Sequence, residues 1–358
     1  MKTLLAIFCS ISIFTAFAQL PKDIINQNCY DINNRQDRPM SLVELENSTY
    51  IAGSLRDVKN TKESLDDIFL IKVDTHGDLI WKKIYGGSGD DLVYSLIKDQ
   101  DNFLYISGCG YSQDGDFINC EYYGGYDAFI MKLDTAGNII WVKNYGGSMD
   151  EWGFSSIMAS NGDIIVNGPT FSADHDVDLN YGYLDFWLCR INKENGDIMQ
   201  SKVFGSTEPD IIFSLLETQE GGFFTAARAG ASDGMVNGNY QGNGDMWLLK
   251  LDIYFNIEWQ KLIGGSNYDA GGKDLIEVEN GYVISGITQS YNGDVNGFDF
   301  PDTPNQDDIW VVRIDSIGNI IWNIALGGDE WEFDSRIFSN ENGTYTVFGS
   351  TKSPNNGD

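Results

Sequence analysis

Three aspartates at alternating positions, Asp174, Asp176 and Asp178 in "FSADHDVDLNYGYLD", come closest in this chain to a metal-ligand set. Calcium takes about six to eight oxygen ligands, and carboxylates on every second residue of a loop can converge on one cation. The pattern is partial, because an EF-hand loop needs glycine where Leu179 stands and a late glutamate that this loop lacks. A second chemistry is suggested by Tyr122, Tyr123, Tyr126, Tyr181, Tyr183, Tyr240 and Tyr291, which sit in loops rich in Asp and Asn. Their flat faces suit sugar rings, and the neighbouring carboxylates and amides suit sugar hydroxyls. A third reading is architectural: Asp, Asn and Gly form turns, and they recur wherever a scaffold recurs. All three readings are open at this level.

Catalytic motifs are sparse. The chain has two histidines, His76 in a tight turn and His175 between aspartates, which argues against a histidine-based zinc site. No HExxH or phosphate-binding glycine loop occurs. A glycosidase needs only two carboxylates at a set separation, and 53 acidic residues neither exclude nor locate such a pair.

Composition narrows the partners. Residues 1–18 read as a secretory leader, with Lys2, the apolar run "LLAIFCSISIFTAFA" and the Ala16-Phe17-Ala18 cleavage pattern. Without it, 22 basic residues face 53 acidic ones and the net charge is −31, against −30 for the whole chain. That excludes nucleic acid, whose phosphates require clustered Lys and Arg, and docking on anionic lipid. The expected product is a monomer, secreted or at the cell surface, with no inserted membrane span and with an extracellular glycan or protein as partner. Of the four cysteines beyond the leader, Cys109 and Cys120 bracket one loop and are candidates for a disulfide, which export would permit. Cys29 is unassigned, and Cys189 alternates with Trp187 and Ile191 as a core residue would.

The elements that must position these residues are repeated. An aspartate opens an apolar run at "DIFLIKVD" (Asp67), "DAFIMKLD" (Asp127), "DFWLCRIN" (Asp185), "DMWLLKLD" (Asp245) and "DIWVVRID" (Asp308), at intervals of 60, 58, 60 and 63 residues. A second apolar run precedes each and ends at Gly53, Gly108, Gly168, Ala227 and Gly286, with a sixth ending at Gly349. Each unit holds four short apolar runs broken by Gly, Asn and Asp, in the second unit at 93–98, 103–108, 127–134 and 139–145. Phe129, Met131 and Leu133 share one face of the third run and Ala128 and Ile130 the other, so both faces of the sheet are covered. Four strands per unit, covered on both faces and repeated, predict an all-β propeller of four-stranded antiparallel blades, five complete repeats of about 60 residues and a partial sixth. Expected boundaries are 19–39 for an N-terminal segment and 40–89, 90–149, 150–208, 209–267, 268–330 and 331–358 for the blades. The last is half a blade, so the chain reads as truncated.

Within each unit the phrase "KLDTAGNIIW" resembles the tryptophan-docking motif of quinoprotein-type propellers. It occurs as Asp74, Gly77, Trp81; as Asp134, Gly137, Trp141; and as Asp315, Gly318, Trp322. The fourth unit keeps Asp252 and Trp259 with Phe255 in place of glycine, and the third has Asn192 and Gly196 with Gln200 in place of tryptophan. The resemblance implies that Trp81, Trp141, Trp259 and Trp322 pack one blade on the next. The longer phrase, running on into "YGGS", is similar to repeats of secreted and surface proteins of Bacteroidetes-type bacteria, many of which are type IX secretion cargo. Some carry a glycan-hydrolase name, but the repeats identify no catalytic pair. Quinone chemistry is disfavoured, because the adjacent cysteine pair common near that cofactor does not occur here.

An antiparallel meander places its first-to-second and third-to-fourth turns on one side and its other connections opposite. The short turns, "KDQDN" and "TAGN", fall on the first side; the long acidic and tyrosine-bearing loops and the "YGGS" segments fall on the second. Function is expected on that long-loop face. With no catalytic motif and no cofactor called for, calcium apart, the sequence leans toward a non-catalytic binding or adhesion scaffold. The alternative is an endoglucanase-like glycan hydrolase using long-loop carboxylates.

Overall fold

The computed structural model describes residues 36–56, 65–153, 155–296, 306–340 and 342–353. The leader, Cys29 and most of the expected 19–39 segment lie outside them. Among the described residues no helix is long and apolar enough to cross a membrane.

The chain divides into two compact units after Tyr145. The first unit holds two four-stranded antiparallel meanders. Strands β1 to β4 are Gln36–Leu45, Ser48–Arg56, Asp66–Asp74 and Leu79–Tyr85; β5 to β8 are Asp91–Lys98, Leu104–Gly110, Asp127–Leu133 and Ile139–Tyr145. Strand β1 starts ahead of the expected boundary at Met40. A register shift between Pro39 and Ser41 lets it accommodate a proline, which has no N–H to donate, and still pair along β2.

The second unit holds three more such meanders and a two-stranded sheet. Strands β9 to β12 are Ser155–Met158, Ile164–Thr170, Asp185–Ile191 and Ile198–Phe204. Strands β13 to β16 are Ile211–Glu217, Phe223–Ala229, Asp245–Leu251 and Ile257–Ile263. Strands β17 to β20 are Asp269–Val278, Gly281–Thr288, Asp308–Asp315 and Ile320–Leu326, and β21 and β22 are Glu332–Ser339 and Tyr345–Thr351. The repeated meander is that of an all-β, propeller-like fold, as the periodicity predicts.

Burial follows the apolar pattern on both faces of the inner strands. Phe129, Met131 and Leu133 pack with Ala52, Leu70 and Leu96 in one cluster, and Ala128 and Ile130 are equally buried on the other face of β7. In the second unit one cluster joins Phe186 and Phe204 to Trp247 and Leu262, and the next joins Leu248 and Ile263 to Trp310 and Ala325. Each third strand of this unit buries a tryptophan, and each indole N–H is satisfied: Trp187 donates to Ser201, Trp247 to Gln260 and Trp310 to Asn323.

The turn after each third strand is built by its aspartate. Asp74 Oδ1 accepts the amides of His76 and Asp78, and Asp134, Asp252 and Asp315 accept the corresponding pairs two and four residues on. Gly77, Gly137 and Gly318 occupy positive φ there. Trp81 then packs beside the turn of the following blade: a Cβ on Gly137 would stand 3.0 Å from its ring. Trp259 stands in the same relation to Gly318, at 2.8 Å. Where the third unit has Gln200, the following turn carries Phe255 at φ 58°, fully buried against Phe223, and Lys202 reaches its carbonyl.

The cysteine pairing is corrected. Cys109 and Cys120 are not joined. Cys120 packs against the cluster containing Leu104 and Ile106 and lies 3.5 Å from the Val142 carbonyl. Cys109, an odd number of residues along β6 from those two, faces the other side of the sheet, toward Tyr94. Sequence proximity across a loop does not bring two thiols together when the strand pleat turns one away.

Candidate functional site

The "GGS" segment that leaves each fourth strand is held by carboxylates. In the first unit Gly87 N donates to Asp91 Oδ2 at 3.0 Å, Ser88 N to Asp114 and Gly86 N to Asp116. In the second unit Gly147 N donates to Glu151 at 2.9 Å, Ser148 N to Asp174 at 2.7 Å and Gly146 N to Asp176 at 3.2 Å. Gly265, Ser266 and Gly264 repeat the scheme with Asp269, Asn292 and Asp294. Asp174 and Asp176 therefore accept backbone amides, and these contacts hold the Asp174 carboxyl below the usual range. Asp178 is exposed. Among the described residues no group of three His, Cys, Asp or Glu side chains is arranged to hold a metal ion.

Asp91, Glu151, Asp210 and Asp269, which close GGS-type segments, and Asp185 and Asp245, which open third strands, are fully buried. Burial raises Asp91, Glu151 and Asp185 to about 7 and Asp210 and Asp245 to about 6, against bonds from nearby hydroxyls and amides that lower them. These groups are 0% exposed, so they cannot touch a substrate and act in the frame.

The predicted tyrosines separate into two kinds. Tyr126 donates to Asp90 and packs edge-on to Tyr111, and Tyr240 donates to the Gly230 carbonyl; both tie loops down. Tyr123 donates its hydroxyl to Glu121 and its amide to Asp127, and Tyr181 N donates to Asp185 at 2.5 Å. Tyr122, Tyr291 and Tyr183 present their rings to solvent, Tyr183 most, at 69% exposure.

Tyr183 belongs to a set. Phe171 meets it edge-to-face with centroids 5.2 Å apart, and Trp152 meets Phe171 at 5.5 Å. An isolated bridge between Glu151 and Thr170 brings these segments together, with Trp152 N donating to the Pro169 carbonyl and Phe171 N to that of Asp150. The Thr170 hydroxyl, bonded to Glu151 Oε1 at 2.8 Å, pins the bridge from beneath. Trp152, 44% exposed, and Tyr183 thus form the outer ends of an aromatic row on the long-loop side of the second unit. Sequence reasoning found Tyr183 alone. Trp152 and Phe171 are 19 residues apart and carry no local signal of meeting.

No known protein family matches the chain, and no curated protein sequence matches it. Solved structures resemble its backbone distantly. A Synechocystis apocarotenoid oxygenase mutant has a TM-score of 0.45 and 14% identity, with 82% of this chain aligned. This chain spans 61% of that oxygenase's length. A thermostable family-43 glycoside hydrolase has a TM-score of 0.39 and 11% identity, over 89% of this chain and 94% of its own. A xylan β-1,4-xylosidase from Bacillus halodurans has 0.35 and 11%, over 87% and 80%. The likeness is one of backbone, and no residue role is carried over from it. All three are enzymes by name, two of them glycosidases, and this stands against the expected non-catalytic scaffold, while the likeness itself assigns this chain no activity.

Proposed function

We propose that this chain is an exported glycan-active enzyme, a hydrolase built of repeated four-stranded meanders, whose substrate lies on the long-loop side of the second unit. The observation that carries the reading is the row Trp152–Phe171–Tyr183, with two solvent-facing rings at its ends. Aromatic faces of this kind pack against the C–H faces of sugar rings, and the edge-to-face contacts to Phe171 preset their angles, so little ordering remains to be done on binding. Glycoside hydrolysis uses one carboxyl as acid and another as base or nucleophile. The buried carboxyls of the frame cannot serve, so the acid and the base would be exposed carboxylates of the same long loops, with Asp174 and Asp178 as candidates. Export through the leader at residues 1–18 would deliver such an enzyme to extracellular polysaccharide.

The test is incubation of the purified chain with a panel of plant and microbial polysaccharides. Release of new reducing ends from at least one is the expected result. Retention on a polysaccharide without cleavage, or no interaction with any, would overturn the assignment.

A further inference from the structure

The GGS joints bring acids together, and among the described residues the buried ones have no ion-pair partner. Asp245, at the start of β15, and Asp269, at the start of β17, lie on either side of Gly264: a Cβ there would stand 3.0 Å from Asp245 Oδ1 and 2.8 Å from Asp269 Oδ2. Both residues are 0% exposed. Asp269 is well supplied with donors, its Oδ2 taking Gly265 N and the Ser290 hydroxyl and its Oδ1 the Thr288 hydroxyl. Asp245 is not: Oδ2 accepts Gln241 N, while Oδ1 is buried with no hydrogen-bond partner. The motif recurs. Asp91 lies across Gly86 from Asp67, each with an oxygen 2.9 Å from a Cβ built there, and Asp185 packs against Gly205. The Oδ1 atoms of Asp91 and Asp185 are likewise buried without a hydrogen-bond partner, that of Asp91 beside Gly110, while its Oδ2, on the Asp67 side, accepts Gly87 N and the Ser112 hydroxyl.

The charged groups facing Asp245 are themselves acidic: Asp269 from β17 and Asp294 from the loop after β18, whose Oδ2 takes Gly264 N and Gln241 Nε2. Tyr240 faces it from the preceding loop. Arg228 on β14 lowers the pKa of Asp210 through space, but sends its guanidinium to the carbonyls of Pro209 and Asn243 and lies over the Tyr268 ring. Among the described residues neither Lys nor Arg forms an ion pair with Asp91, Asp185, Asp210, Asp245 or Asp269.

We propose that each of these joints is a proton-binding site, in which Asp91, Asp185 and Asp245 fold as neutral carboxylic acids and the blades loosen when they ionise. A buried oxygen without a donor, opposed by a second carboxylate, is costly as an anion and tolerable as an acid. The sign follows directly. A carboxyl whose folded-state pKa lies above its unfolded value stabilises the fold most below the unfolded value, near 4, and that contribution is lost as pH rises through the folded value, here about 6 to 7. The fold is therefore tightest in mildly acid surroundings and relaxes on the alkaline side of neutrality, independently of any catalytic activity.

The experiment is thermal unfolding of the whole chain from pH 5 to pH 8.5, for the wild type, for Asp245→Asn and, in the separate first unit, for Asp91→Asn. The amide keeps the carboxyl's shape and cannot ionise. The wild-type melting temperature is expected to fall by about 5 °C or more across the range, and each variant to fall less, so that the variants gain on the wild type as pH rises. Proton uptake on refolding at pH 7 provides a readout that needs no variant. A wild-type melting temperature that is flat or rises with pH would overturn the proposal, as would variants that track the wild type in parallel. Calcium restoring the wild type at pH 8.5 would overturn it too, by showing that a cation rather than a proton fills the joint.

Discussion

Trp259 and Gly318 are complementary halves of one contact: the indole of one blade occupies the space that a side chain on the next blade's turn would need, 2.8 Å from where its Cβ would stand. At the preceding joint Gln200 stands in place of the tryptophan and donates to the Tyr254 carbonyl, while Phe255, in place of the glycine, is buried against Phe223 of its own meander and under the Arg190 guanidinium of the one before. One large side chain fills the space between neighbouring blades, supplied from either side.

Removing that side chain should therefore be costly, and moving it across should repair part of the damage. Phe255→Gly is expected to destabilise the fold by about 3 kcal/mol or more, since it empties a buried site. Adding Gln200→Trp to it should recover about 1–2 kcal/mol, a coupling of the size seen between residues in contact. Urea midpoints of the two single variants and the double variant measure it. Strictly additive effects would show that the two positions do not share a space.

Gly264 tests the joint beneath the long loops. Its substitution by alanine drives a methyl group between Asp245 Oδ1 and Asp269 Oδ2, on carboxyls whose Oδ2 atoms accept the Gln241 and Gly265 amides and which cannot swing away freely. A loss of about 1–3 kcal/mol is expected from overpacking of this kind, read as a lower urea midpoint at unchanged slope.

The acid side of the stability profile is set by different aspartates. Backbone amides two and four residues on hold Asp74 and Asp315 below the usual carboxylate range, and Asp174 is held there by Ser148. Groups with depressed folded pKa values contribute stability above their unfolded value, near 4, and lose it as pH falls below that. With the joint acids lost on the alkaline side, the melting temperature should pass through a maximum between about pH 4 and 6. A profile that climbs steadily to pH 8 would contradict this division of labour.

Most of the frame was legible in the sequence, because a period of about 60 residues carries strand order, turn positions and the blade-packing tryptophans together. The strands of the second repeat, β5 to β8, are legible to within two residues at each end. What escaped was whatever depends on segments meeting across the pleat or across loops. Cys109 and Cys120 are near in sequence yet on opposite faces of β6. Trp152 and Phe171 are far apart in sequence yet joined by the Glu151–Thr170 bridge. Asp91 did have a signal, its place four residues after Gly87 in a repeated GGS segment, but the spacing records a capping bond and says nothing of the second carboxylate opposite. The alternating aspartates Asp174, Asp176 and Asp178 had the look of a cation loop because capping the GGS amides also calls for carboxylates at every second residue.

Calcium accordingly has little to gain from that loop. With Asp174 and Asp176 already accepting Ser148 and Gly146 amides, the melting temperature at pH 6 should be the same in millimolar calcium as in chelator. A ligand bound at a hundred times its Kd would stabilise by about 2.7 kcal/mol, so a clear upward shift would restore the loop as a metal site.

The most direct measurement is the release of reducing ends from whichever polysaccharide the chain cleaves, compared among the wild type, Trp152→Ala and Tyr183→Ala. Both rings face solvent, so the variants should fold with nearly unchanged melting temperatures. The account predicts that each loses about tenfold in kcat/KM, roughly 1.4 kcal/mol of sugar packing. Absence of cleavage on every polysaccharide, or cleavage untouched by either substitution, would contradict it.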